Sequence, residues 1–293
     1  MLVALSRGRK NYDLRYFLVR GGAVILIAAL LGTRIVQFFP FTDADVLYLI
    51  GISLPLAYLF LSWNSRRRWL IIAAIFRIAP VLQFMFGYAK LPLQIPVIGP
   101  MTGVQPDPFA VFHQWFIDGW FPLFPWLGIS LPGAQLGVIR WEAGRVNSSV
   151  TPKIADIALG FLMAGLTVWM VFPGRIYTRL GYVELFYPPT IAFLVTITGV
   201  ILCLFVIADT LPQTCRLLDP IPAMGECSPA IYLIHSLIIA WLIAPLHLSL
   251  PLPGFGLCYA LLVAGMIAIS YELRRIRSGN PQRSVIARML IGG

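Results

Sequence analysis

Eight long apolar stretches constrain this chain more than any other feature. Each approaches the length of about 20 mostly apolar residues that a helix needs to cross the hydrocarbon core of a bilayer. They cover residues 16–37, 46–63, 69–88, 119–139, 154–173, 189–208, 230–246 and 255–271. The sequence therefore predicts an all-α, polytopic integral membrane protein, a helical bundle of about eight transmembrane helices.

The charge content excludes the main alternative, an ordinary soluble enzyme. Only 12% of the 293 residues are charged and 59% are hydrophobic, whereas a typical soluble domain has about 25% charged residues. So few charges cannot give every surface element a polar face. The bilayer is therefore the expected solvent, and membrane lipids are expected partners.

The basic residues predict the orientation, because cytoplasmic loops carry an excess of Lys and Arg. With the N-terminus inside, 17 of the 22 basic residues are assigned to cytoplasmic segments and span ends, four to outside segments and span ends, and Arg77 to the middle of a span. This predicts N-in and C-in termini, with a basic N-terminus at 1–15, the bundle at 16–271 and a basic tail at 272–293. The basic residues are spread over five segments, so they indicate topology and anionic-lipid contacts and argue against nucleic acid.

The longest connection, residues 89–118, is predicted to lie outside the cytoplasm. It contains Pro92, Pro96, Pro100, Pro106 and Pro108, which exclude a continuous helix. Because the stretch is also apolar, we expect it to lie on or dip into the membrane, where protein must shield its backbone. It is a candidate wall of a site.

Arg77 lies in the middle of the third apolar stretch. An arginine at that depth costs about 2.5 to 3.5 kcal/mol on insertion scales, so we expect it to face the bundle interior and to have an anionic partner. Two interpretations stay open from the residues alone. Arg77 binds a phosphate or carboxylate of a substrate, or it forms a structural ion pair with a neighbouring helix.

His113 and Asp118 flank an aromatic segment at the outer mouth of the fourth span. An imidazole close to a carboxylate can act as a general base with its orienting partner. A five-residue separation does not bring two side chains together on an α-helix. Spacing alone therefore favours interfacial anchoring, in which both residues meet water within a belt formed by Trp115, Phe116, Trp120 and Trp126.

Other polar residues give weaker signals. His235 lies in the seventh span, where a lone histidine is more often a structural hydrogen-bonding residue than a catalyst. Asp156 and Asp209 lie at cytoplasmic span ends and Glu184 lies in an outside loop, so we expect most of these carboxylates to be solvated. The spacing of histidines and cysteines matches no metal-ligand cluster, and we expect no metal.

Three motifs, in order, give the chain a family resemblance. They are DVLYLIGISLPLAYLF at 45–60, DGWFPLFPWLGISLPGAQLG at 118–137 and MGECSPAIYLIHSLII at 224–239. Together they resemble the bacterial relatives of heparan-alpha-glucosaminide N-acetyltransferase, within the transmembrane acyltransferase superfamily that includes the acyltransferase-3 proteins. The resemblance implies an integral protein of the bacterial inner membrane.

The resemblance also implies an activity and its residues. Such proteins take an acyl group from acyl-CoA, here acetyl-CoA, and transfer it to a sugar or glycan acceptor near the opposite face. Arg77 and the cytoplasmic arginines then resemble groups that hold CoA phosphates. His113 and Asp118 resemble the acceptor-side mouth, and His235 matches the histidine of the YLLH-like motif of the family.

The N-terminus departs from the family pattern. Residues 1–22 resemble the stretch after the second family helix, so two helices and the principal catalytic histidine are expected to be missing. A late start codon, a split gene or a loss of catalysis would each give this sequence. The alternative function is a non-catalytic acyltransferase-like subunit packed against other membrane subunits, and a small transporter is disfavoured because no paired inverted halves are found.

Overall fold

The structure is a computed structural model that describes residues 12–33, 41, 44–86, 108–142, 145–146, 150–171, 177–179, 182–184, 189–211, 219–247 and 249–279. The described residues belong to two compact units, Met1–Thr210 and Leu211–Gly293.

The first unit is built from long helices joined by short elements. Its long helices are α1 (Leu14–Leu31), α2 (Val46–Ser62), α3 (Ser65–Phe86), α5 (Leu123–Arg140), α6 (Thr151–Val171) and α7 (Ile191–Thr210). A short helix α4 (Pro108–His113) continues into a π-helical segment (Gln114–Asp118). Two antiparallel hairpins pair β1 (Trp141–Glu142) with β2 (Arg145–Val146) and β3 (Tyr177–Arg179) with β4 (Tyr182–Glu184).

Helices α1, α2, α3 and α5 share one apolar core. Phe17, Phe60, Ile75 and Leu127 are among its buried side chains. The helices begin where the sequence supplies caps: the Asp13 carboxylate accepts a hydrogen bond from the Tyr16 amide at 2.9 Å, at the start of α1. Side-chain caps of this kind satisfy amide groups that a helix leaves unpaired at its N-terminus.

Glycines allow two helix pairs to approach closely. A Cβ atom added to Gly21 of α1 would lie 2.3 Å from the Gly51 carbonyl oxygen of α2, and one added to Gly165 of α6 would lie 2.4 Å from the Thr196 hydroxyl of α7. Small residues at such contacts are typical of membrane helices, which associate through close packing. The α6–α7 pair lies beside the four-helix core within the first unit.

The second unit contains three α-helices among its described residues. These are α8 (Pro220–Glu226), α9 (Ser228–Ile238) and α10 (Leu252–Gly279), with a π segment (Ile239–Ile243) and a short 3₁₀ turn (Ala244–Leu246) after α9. Cys227, Ile231 and Met266 form its small core. Glu226 and Arg274 form an exposed ion pair at 3.2 Å that joins α8 to α10.

The prediction of an all-α polytopic membrane protein is confirmed. In the described residues, six helices are long and apolar enough to span a membrane: Leu14–Leu31, Ser65–Phe86, Thr151–Val171, Ile191–Thr210, Ser228–Leu246 and Leu252–Ile276. The predicted second span corresponds to the shorter apolar helix Val46–Ser62, and the predicted fourth span corresponds to α5. A total of eight spans, the N-in and C-in orientation and the predicted domain boundaries stay predictions.

Candidate active site

Ends of several elements meet around His113 in the first unit, and we call this region the histidine end. The imidazole Nε2 of His113 lies 3.2 Å from the carbonyl oxygen of Phe86, the last residue of α3. The indole of Trp115 donates a 2.7 Å hydrogen bond to the Phe41 carbonyl. The Phe121 amide donates to the Ala44 carbonyl, just before α2, at 3.0 Å. These contacts hold the π segment against the ends of α2 and α3.

His113 is buried, with 6% of its surface exposed. The interpretation of His113 as an interfacial residue that meets water is therefore wrong. Since a carbonyl oxygen only accepts hydrogen bonds, the contact with Phe86 places the ring proton on Nε2. In the neutral ring, Nδ1 then carries the lone pair and is the nitrogen able to accept a proton.

Because the segment after His113 is π-helical, the five-residue separation between His113 and Asp118 is close to one helical turn. The Gly119 amide donates to the Gln114 carbonyl at 2.9 Å, which is the i to i+5 bond of a π-helix, not the i to i+4 bond of an α-helix. Five residues are one hydrogen-bonded turn in this register, so the Asp118 backbone lies one such turn after His113. The spacing in the sequence does not reveal this relationship, because five residues do not complete a whole number of α-helical turns.

Gly119 ends the π segment because only glycine fits there. A Cβ atom at this position would lie 2.1 Å from the Gln114 carbonyl oxygen, so any other residue would disrupt the hydrogen bond that closes the turn. The residue is also buried. The sequence segment Asp118–Gly119 thus ends the π turn and directs the chain into α5.

Aromatic side chains line the histidine end. Phe112 stacks on Phe116 with ring centroids 4.8 Å apart, and Phe116 stacks on Phe124 at 6.2 Å. The buried Tyr48 ring lies 5.2 Å from that of Trp115. The expected aromatic belt is therefore at least partly engaged in contacts within the protein.

Gln114 is a residue that the sequence analysis did not select. Its side chain is 2% exposed, and neither its amide nitrogen nor its amide oxygen has a hydrogen-bond partner among the described residues. Its polarity within an aromatic segment was the only signal in the sequence, and that signal is weak because glutamine is common at membrane interfaces and in loops.

A second polar cluster joins three helix ends of the first unit. Arg140, the last residue of α5, donates from Nε to an Asp209 carboxylate oxygen at 3.0 Å and forms an ion pair with the same oxygen through Nη2. The hydroxyl of Thr151, the first residue of α6, donates to the other Asp209 oxygen. Asp209 is an exception to the expectation that most of the carboxylates at span ends and in the outside loop are solvated, because Arg140 and Thr151 bind both of its oxygens.

Arg77 is exposed on α3 and does not face the bundle interior, so that part of its prediction is wrong. The neighbouring Phe76 takes the side of α3 that faces α5, where its ring packs against Gly128. No carboxylate among the described residues pairs with Arg77, so the structural ion pair considered from the sequence is not found within the part of the chain that the structure describes.

His235 lies in the second unit, on α9. Its Nδ1 donates to the Ile231 carbonyl, one turn earlier, at 3.1 Å, and the Tyr232 ring lies against it with centroids 5.1 Å apart. This is the structural hydrogen bond expected of a lone histidine in an apolar helix. With Nδ1 donating, Nε2 carries the lone pair of the neutral ring.

The described residues hold no cluster of three or more His, Cys, Asp or Glu residues that could bind a metal. Most of the predicted re-entrant connection lies outside the described residues, which resume at Pro108. The histidine end offers an imidazole and buried hydrogen-bonding groups, which can support acid–base chemistry.

The fold and this site define a class: a polytopic helical membrane protein with a buried histidine among aromatic side chains at one end of its helices. The family model for heparan-alpha-glucosaminide N-acetyltransferase, catalytic, matches residues 1–173. The chain belongs to this family, which confirms the resemblance found in the motifs and identifies a membrane acetyltransferase-type protein with a glycan as the type of acceptor. Comparison with curated proteins and with solved structures gave no match.

The matched region includes Arg77, His113 and Asp118 but not His235. The expectation of two missing helices and the assignment to a bacterial branch stay predictions.

Proposed function

We propose that this protein is an acetyl-CoA-dependent membrane acetyltransferase that acetylates an amine or hydroxyl of a sugar or glycan, with His113 as its general base. The observation that carries the proposal is the Nε2 to Phe86 carbonyl contact of 3.2 Å. It fixes the orientation of a buried ring and leaves Nδ1 as the basic nitrogen. Membership in an N-acetyltransferase family supports the reaction type.

In this reaction, Nδ1 of His113 accepts the proton that the acceptor amine or hydroxyl loses as it attacks the thioester carbonyl. A new C–N or C–O bond forms, the C–S bond breaks and CoA leaves as its thiolate, which takes up a proton. Asp118 is proposed to stabilise, through its negative charge, the imidazolium that forms on His113, because the Phe86 carbonyl already holds the Nε2 proton. The π-helical interval that separates Asp118 from His113 supports this role.

The donor side of the proposal rests on arginines. Arg66 and Arg67 are exposed in the first turn of α3 and Arg77 is exposed farther along the same helix. An exposed arginine within an apolar helix needs an anionic group, and CoA provides phosphates. His235 is proposed as a further catalytic residue on the basis of its motif, and a bacterial inner membrane is proposed as the location.

Replacement of His113 tests this function. We expect His113→Gln, whose amide can still donate to the Phe86 carbonyl, to lower transfer of labelled acetyl from acetyl-CoA to a glucosaminide about 10² to 10⁴-fold, the typical contribution of a general base. His247→Asn is the control, because His247 is exposed and its φ of 45° suits asparagine. Activity of His113→Gln equal to that of wild type would contradict the assignment.

The same assay distinguishes this enzyme from the alternative function, a non-catalytic subunit in a larger membrane complex. That function predicts no transfer by the wild-type chain and co-purification with other membrane proteins at fixed stoichiometry. A homogeneous, solitary protein that transfers acetyl would rule it out.

A further inference from the structure

The Gln114 amide is the most unusual polar group at the histidine end. Both of its polar atoms are buried, and neither has a partner among the described residues. A buried polar group without a hydrogen bond destabilises a folded protein, so its presence calls for a physical explanation. By contrast, the Gln135 amide of α5, which is 4% exposed, accepts a hydrogen bond from Arg68.

Contacts on both sides fix the backbone of Gln114. The preceding ring, His113, is bonded to Phe86, and the following indole, Trp115, is bonded to Phe41. The Gln114 carbonyl itself accepts from Gly119. Because three separate contacts fix this segment, a small backbone adjustment cannot bring the amide to water. Single π turns of this kind are frequent at functional sites.

We propose that Gln114 is a substrate-binding residue, whose buried amide pairs with a substrate group that both donates and accepts a hydrogen bond. This inference rests on the proposed function, since Gln114 directly follows the proposed base His113 in the chain. In the proposed reaction such groups are the hydroxyls and amine of the acceptor sugar and the amides in the pantetheine arm of acetyl-CoA. A buried amide discriminates strongly, because a substrate lacking the complementary group leaves it unpaired.

The test compares Gln114→Met with Gln135→Met, each measured as purified full-length protein in mild detergent. Methionine has a similar length and no hydrogen-bonding requirement. In the absence of substrates, we expect Gln114→Met to melt at or above the wild-type temperature, because it removes an unpaired amide. Gln135→Met should melt lower, because it leaves Arg68 without this partner.

Substrates are then added separately: acetyl-CoA in one arm, a glucosamine-terminated oligosaccharide in the other. We expect Gln114→Met to lose the thermal shift produced by one of them and to raise the KM for that compound about tenfold, the scale of one lost hydrogen bond with its buried partner. The KM for the other compound should not change. The affected arm identifies which substrate contacts the amide.

Two outcomes would overturn the inference. One is a Gln114→Met variant that binds both compounds as the wild-type protein does. The other is a Gln114→Met variant whose melting temperature falls as much as that of Gln135→Met, which would show that the Gln114 amide has a hydrogen-bond partner within the protein. A wild-type protein with no shift in either arm contradicts the proposed function itself, which distinguishes the two failures.

Discussion

At the scale of single residues, two side chains of the same type differ in what they can do because their environments differ. His113 and His235 each donate a hydrogen bond to a backbone carbonyl, but they do so from different ring nitrogens. His113 donates from Nε2 to a different helix and is buried, whereas His235 donates from Nδ1 to its own helix. The first arrangement holds a ring between two elements, which suits the general base of the proposed reaction, whereas the second holds the ring against its own helix.

Arg77 gives a prediction at the same scale. If its exposed guanidinium contacts a CoA phosphate, Arg77→Gln should raise the KM for acetyl-CoA about tenfold, which corresponds to about 1.4 kcal/mol, and leave the KM for the acceptor unchanged. Steady-state kinetics at low and high salt would measure this. Lys153→Gln, an exposed residue at the start of α6, is the control. An unchanged KM for acetyl-CoA would contradict the proposal that Arg77 binds a CoA phosphate.

At the scale of elements, the Arg140–Asp209–Thr151 cluster joins the ends of α5, α6 and α7. Asp209→Asn would leave the buried Arg140 charge without its counterion, so we expect a loss of about 3 kcal/mol in the free energy of unfolding. Glu226→Asn should change it by less than about 1 kcal/mol, because the Glu226–Arg274 pair is exposed. Thermal melts in detergent measure both.

A double variant tests whether the ion pair itself is responsible. Arg140→Leu combined with Asp209→Leu removes both charges, and it should recover much of the stability that either single substitution loses. Additive losses in the double variant would show that the two residues act independently.

The sequence predicted the elements better than the contacts between them. Apolar length predicted the spanning helices, since any helix that crosses a bilayer must be long and apolar. Periodicity did not predict the π segment, because residues five apart look unrelated when an α-helix is assumed. Nor could it predict that Asp209 pairs with Arg140, 69 positions away, or that Phe76, one residue before Arg77, occupies the side of α3 that faces α5.

At the scale of the whole molecule, the proposed reaction uses two chemically different regions of the first unit. The described first unit has arginines at the N-terminal end of α3 and a histidine beyond its C-terminal end. A helix of 22 residues is about 33 Å long, which is close to the thickness of a bilayer core. The part of the proposed donor region formed by Arg66 and Arg67 is therefore expected on the opposite face of the membrane from His113, and Arg77 lies between the two faces.

One measurement tests this account most directly. The purified protein is reconstituted into sealed proteoliposomes so that its basic termini face outward. A glucosaminide is enclosed inside the vesicles, and labelled acetyl-CoA is added outside. We expect acetylated glucosaminide inside the vesicles with the wild-type protein, and little product with His113→Gln. No labelled acceptor from the wild-type protein, or equal labelling by both proteins, would contradict it.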